Sequence, residues 1–180
     1  MSLLIQYTIL YASVLILVAL GGCFSEHSGV INLGLEGIMV MGALGGALTM
    51  KYMIGYPPAV IVILTILAAA VTGLVFSALL AVACINFKAD QTIVGTALNM
   101  LGLAAATVIV KAINIAENPD NVSATVQYIA QKKSFLVNIG GFEFNWMMLV
   151  ALVILIAAYI VLYKTKFGLR LMACGEHPQA

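Results

Sequence analysis

The chain has 180 residues, 63% of them hydrophobic and 8% charged, with a net charge of +1. A soluble domain carries roughly a quarter charged residues, so this composition excludes a water-soluble globule. It shows no basic footprint for nucleic acid either.

The charges leave gaps at residues 1–25, 52–87, 91–110 and 144–163. Each gap reaches the ~20 residues that a helix needs to cross hydrocarbon. The fold class expected is therefore all-α, a polytopic transmembrane helical bundle of about five spans. Barrel strands alternate apolar and polar residues, and these runs do not.

Span one is expected over about Leu3 to Gly22. It lacks the basic start of a secretory signal and outruns the usual apolar core of one, so it reads as a retained span. "SEHSGVINLGLEG" (25–37) follows, dense in polar residues and glycine. The next apolar run, Ile38 to Met50, ends at Lys51-Tyr52 and is too short to cross alone. An interrupted second span that recruits part of "VINLGLEG" is the expectation.

Tyr56-Pro57-Pro58 is a turn. A long helix over Ala59 to Phe87 must then tilt, kink near Thr72-Gly73, or project beyond the lipid. "NFKADQ" (86–91) is a short connection, and span four covers about Thr92 to Val110. A long polar segment follows, with a hairpin suggested around Gly140-Gly141. Span five, about Trp146 to Tyr163, has aromatic residues at both ends, and Lys164, Lys166 and Arg170 after it mark a cytoplasmic end. Counting back places Lys88 inside, the long loop outside and the N-terminus outside.

Glu36 is either a carboxylate facing a polar interior or an interfacial residue reaching headgroup water. Asn32 with Gly29, Gly34 and Gly37 suggests unwound backbone, tolerated in a membrane only where protein or a watery cavity satisfies it. Gly42, Gly45 and Gly46 read as close helix packing. Thr92, Thr96 and Asn99 share one face at i, i+4 and i+7, a stripe suited to a polar path or to bonds with neighbouring helices. Cys23, Cys84 and Cys174 lack metal-ligand spacing, His27 and His177 have no companion ligands, and Asn121-Val122-Ser123 is a weak glycosylation pattern. No nucleophile with an oriented base is present, so neither a catalytic site, a metal nor a cofactor is expected.

Three segments, "ALGGCFSEHSGVINLGLEGIMVMGA" (19–43), "ADQTIVGTALNMLGL" (89–103) and "KFGLRLMACGEHPQA" (166–180), together resemble bacterial ABC-transporter permeases of the simple-sugar and nucleoside type. These are relatives of the ribose and branched-chain amino acid permeases. The resemblance implies a multi-pass subunit of the bacterial inner membrane. Its partners would be a second permease subunit, a cytoplasmic ABC ATPase that performs the hydrolysis, an extracellular solute-binding lipoprotein and the lipid bilayer.

On that resemblance residues 1–180 are a transmembrane permease domain, with 112–145 an extracellular loop and 164–180 the start of a cytoplasmic coupling loop. Asn32, Gly34 and Glu36, with Thr96 and Asn99, are the implied substrate path. Gly168, Arg170, Gly175, Glu176 and Pro178 match the pattern of the ATPase-coupling segment. Family members commonly carry arginine in place of His27 and asparagine in place of His177, and they continue with further spans, so an N-terminal fragment is implied. The alternative function is an ion-coupled secondary transporter, with Glu36 or Asp90 carrying the coupling ion.

Overall fold

The computed structural model describes residues 2–126, 135–139 and 142–177. The chain divides into two compact units, one made of Met1–Asn32 with Phe135–Ala180, the other of Leu33–Ser134.

The first unit opens with α1, Ser2–His27. It runs five residues beyond the expected end at Gly22, because His27 Nδ1 lies 2.7 Å from the Cys23 carbonyl and adds a bond across the last turn. The helix then closes in a Schellman motif. Val30 N–H donates to Ser25 O at 3.2 Å, Gly29 N–H donates to Glu26 O at 3.0 Å, and Gly29 takes the left-handed φ of +80° that the motif requires.

A small antiparallel hairpin, β1 (Leu136–Ile139) and β2 (Phe142–Asn145), pairs Leu136 with Asn145 and Ile139 with Phe142. Its tip, Gly140-Gly141, lies outside the described residues. Trp146 N–H donates to Phe135 O at 3.2 Å, and the two rings stack at 6.1 Å. This joins the hairpin to α5, Met147–Lys164.

Helices α1 and α5 run in the same direction. A narrow crevice between Thr8, Ala12 and Met148, Ala151 marks one end, and the His27–Tyr163 contact marks the other. A final helix, α6 (Lys166–Glu176), starts at Thr165, whose Oγ1 donates to Val161 O at 2.6 Å and accepts from Gly168 N at 3.4 Å.

The second unit holds α2 (Leu35–Tyr52), α3 (Pro58–Ala81, followed by a π-helical turn at Val82–Asn86) and α4 (Gln91–Glu117). Pro58 at the first helical position starts α3, where its missing N–H costs nothing. Small residues bring α2 and α3 together antiparallel. A side chain on Gly42 would meet Ala69 O at 3.2 Å, and one on Gly46 would meet the side chains of Ala69 and Thr65 at 3.4 Å. Close approach of this kind favours dispersion contacts, which must drive helix association in lipid.

Two sequence expectations change here. The chain runs through Thr72-Gly73 as regular helix, since the Thr72 hydroxyl caps the Ala68 and Ala69 carbonyls at 2.8 and 3.1 Å and its side chain covers Gly45. The irregular turn falls at Val82–Asn86 instead. Likewise α4 passes Val110 and takes residues 112–117 into the helix, so the loop begins at Asn118. Asn114, 1% exposed, anchors that extension by donating from Nδ2 to the carbonyls of Ser123 at 3.0 Å and Thr125 at 2.9 Å. Lys51 also pairs with Glu117 at 2.6 Å.

Four helical segments among the described residues are long and apolar enough to cross a bilayer: Leu4–His27, Pro58–Asn86, Gln91–Glu117 and Met147–Lys164. The 18-residue α2, with Glu36 in its first turn and Lys51 in its last, is not among them. The all-α polytopic bundle thus has its short member at the second position, where the sequence predicts an interruption.

Asp90 caps α4 by accepting from Thr92 N at 2.8 Å and Ile93 N at 3.3 Å, and those two bonds, Thr92 first, hold its carboxyl below the ordinary carboxylate range. A depressed folded value means that the cap stabilises above that range and loses its contribution as pH falls through the folded value. Once pH falls below that depressed value, the Thr92 and Ile93 amides should exchange faster than in Asp90→Asn, which keeps a neutral cap at every pH. Equal protection in the two proteins would show that the carboxylate is not the cap.

Candidate functional site

The first N–H groups of any helix lack intrahelical partners, and one buried away from water must find a partner elsewhere. The start of α2 poses this problem, because Gly34 at its N-cap has no side chain to offer. Asn99 on α4 supplies the answer. Its Oδ1 accepts from Gly37 N at 2.7 Å, and its Nδ2 donates to Leu33 O at 2.6 Å. One amide therefore binds the backbone on both sides of the point where α2 begins.

Bonds that short need backbones nearly in contact, and glycines permit it. A Cβ on Gly37 would sit 2.6 Å from Leu98 O, one on Gly95 would sit 3.0 Å from Gly34 N, and one on Gly102 would sit 2.8 Å from Gly37 Cα. The start of α2 thus lies beside residues 95–102 of α4, about 6–17 Å along the helix from Gln91 at 1.5 Å per residue. The far ends of the two parallel helices meet at Lys51 and Glu117.

Beside the start of α2 lies an open depression of about 300 Å³, lined by Glu36, Thr96, Asn99, Met100 and Leu103. Thr96 spends its proton on its own helix, donating to Thr92 O at 3.0 Å and Ile93 O at 2.9 Å, so only its oxygen lone pairs face outward. Glu36 is exposed and makes no ion pair or hydrogen bond among the described residues. The depression therefore offers acceptors, which suit a polar solute that donates hydrogen bonds. Among the described residues no three His, Cys, Asp or Glu side chains converge as a metal site.

Of the residues read as a substrate path, Gly34, Glu36, Thr96 and Asn99 come together in the second unit. Asn32, half-buried, belongs to the first. Asn99 has both polar ends engaged with backbone, so what it does directly is hold the break.

In the first unit the residues read as coupling fall on α6. Gly168 is buried against the Leu162 carbonyl, which leaves no room for a side chain at the α5–α6 corner. Arg170 and Glu176 are exposed, and Pro178 lies outside the described residues. Tyr163 OH is 3.3 Å from His27 Nε2. Because the Cys23 carbonyl can only accept, a neutral His27 carries its proton on Nδ1 and receives the Tyr163 proton at Nε2.

Gly95 and Gly102 escape a reading that follows polar atoms alone. Their signal is positional: with Asn99 they form an i, i+4, i+7 set on one helix face.

Asn99→Leu should leave Gly37 N–H and Leu33 C=O without partners, at about 1–3 kcal/mol for each group left unsatisfied. Hydrogen exchange at Gly37 should accelerate in the variant. Unchanged exchange there would show that the α2 start is held by something other than the Asn99 amide.

A family model described as "Branched-chain amino acid transport system / permease component" matches residues 4–180. The guanosine ABC transporter permease protein NupQ of Bacillus subtilis is 39% identical over 186 aligned residues, covering all of this chain and 58% of that protein. The nucleoside ABC transporter permease protein NupC of Lactococcus lactis is 34% identical over 184, again covering all of this chain and 58% of the relative. A putative glucose ABC transporter permease protein of Haloferax volcanii is 31% identical over 184, covering 98% of this chain and 52% of the relative. The chain thus spans a little over half the length of these relatives. No solved structure matches. With its apolar helices and a family match over nearly its whole length, the chain is a multi-pass membrane protein that belongs to the branched-chain amino acid transport permease family.

Proposed function

We propose that this chain forms part of the permease subunit of an ATP-driven importer for a small polar solute, a nucleoside or a simple sugar, in a bacterial inner membrane. It would work with a second permease subunit, a cytoplasmic ABC ATPase and an extracellular solute-binding lipoprotein. Hydrolysis would belong to the ATPase, and this chain would supply the path and a coupling contact. The names of the relatives support the solute class. Lys164, Lys166 and Arg170, close together after α5, support a cytoplasmic α6, with the 118–145 loop and the N-terminus outside.

The observation that carries this reading is the start of α2. Its unwound backbone is tied off by Asn99, and the Glu36 carboxylate stands at an open depression beside it that sets a few polar atoms among the apolar side chains of Met100 and Leu103. A broken helix whose backbone is satisfied by protein is a recurrent way to place polar groups on a translocation path. Solute would bind at the acceptors of Glu36 and Thr96, and rigid-body motion driven from α6 would switch access.

The whole transporter in proteoliposomes, loaded with the binding protein and ATP, tests this. Glu36→Gln should lower solute uptake by about tenfold, or ~1.4 kcal/mol of lost solute stabilisation, with the ATPase still attached. Unaltered uptake kinetics would assign Glu36 to the lipid interface. Glu176→Ala should leave assembly intact while ATP hydrolysis and flux come apart, and normal transport by that variant would remove Glu176 from coupling. Uptake that follows an ion gradient without ATP would overturn the importer reading in favour of a secondary transporter.

A further inference from the structure

The last turn of α6 rests on the turn that ends α1, backbone against backbone. A Cβ on Gly175 would lie 2.5 Å from His27 O and 3.0 Å from Gly29 N, and a Cβ on Gly29 would lie 3.0 Å from Gly175 Cα and 3.1 Å from Gly175 O. Both partners are stiff. Gly29 sits inside the Schellman motif, fixed by the Val30–Ser25 and Gly29–Glu26 bonds. Gly175 sits inside a helix whose other end is fixed by Gly168 against Leu162 and by the Thr165 cap. The seat is thus a contact between two rigid bodies with no flexible side chain between them.

From Gly29 the chain needs four residues to reach Leu33, whose carbonyl is held by Asn99 at 2.6 Å. A four-residue link extends to at most about 14 Å, so a movement at Gly29 that would stretch it further must carry Leu33 along. We propose that Gly29 and Gly175 are positioning residues of transport: the seat makes α6 and the end of α1 move as one piece and passes that movement, through residues 30–33, to the start of α2. This rests on the importer reading above, with α6 as the element that the ATPase drives. It assigns to the two glycines a role distinct from docking, since Arg170 and Glu176 project away as exposed residues while Gly175 is half-buried.

Gly175→Ala is the direct test. Alanine is the better helix former, so α6 is kept while its methyl group wedges the seat open. Gly29→Asn wedges it from the other side, asparagine being a residue that tolerates the left-handed conformation at a helix end. In the whole transporter, each variant should bind the ATPase as the natural protein does and hydrolyse ATP, while solute moved per ATP falls about fivefold or more. The double variant should be no worse than either single one, because both open the same contact. Cys174→Ala, beside the seat on the exposed side, should couple normally. Normal solute-to-ATP ratios in Gly175→Ala and Gly29→Asn, additive losses in the double variant, or loss of ATPase binding in Gly175→Ala would each overturn the relay. Absence of any ATP-driven uptake by the unaltered complex would instead strike the importer reading itself, before any variant is compared.

Discussion

A peptide group buried away from water must find a partner inside the protein, and the start of α2, where Gly37 is buried, is where this chain meets that demand. The Asn99 amide is suited to the task because it is both acceptor and donor. The groups it binds at the break are one of each kind, the Gly37 N–H and the Leu33 carbonyl. A serine or threonine hydroxyl is too short to span both, and a carboxylate has no proton for the carbonyl. The Asn99 amide reaches one backbone segment at two points, 2.6 and 2.7 Å away, and the close approach at Gly37, Gly95 and Gly102 brings that segment within its reach.

Away from its start, α2 is held by its neighbours. Its last turn is pinned where Lys51 meets Glu117, and its face toward α3 is closed by Gly42, Gly45 and Gly46. The side left open is the one bearing Glu36, beside Thr96, Met100 and Leu103.

How much of this is legible in the sequence depends on which force sets each feature. Gaps between charges located the helices well, because the cost of charge in lipid is large and local. Boundaries were less legible, because a single side-chain bond decides them: His27 to the Cys23 carbonyl prolongs α1, and Asn114 to Ser123 and Thr125 prolongs α4. Thr72-Gly73, where a kink is one of three ways the long helix could fit, is a case of one composition with two uses, since threonine and glycine bend helices in some settings and pack them in others. Only the facing Gly45 decides for packing here. The polar stripe on α4 was visible from spacing, whereas its division of labour was not. Thr96 and Asn99 look alike as polar residues on one face, yet the first turns its proton back on its own helix and the second ties off another helix.

The charge arrangement at the break bears on what the proposed path would accept. The N-terminus of a helix carries about half a positive charge and favours anions. Here the first turn of α2 already holds the Glu36 carboxylate, and the Gly37 N–H is taken by Asn99. The field is thereby offset, and one of the donors that an anion would use is taken. What the depression presents is a carboxylate and a threonine oxygen, both acceptors. A neutral solute rich in hydroxyl or amino donors gains from that edge, whereas a phosphorylated one would meet Glu36 at close range and be repelled. On the importer reading, the same residue that balances the helix end would therefore select the uncharged form of a nucleoside or sugar over its phosphate ester.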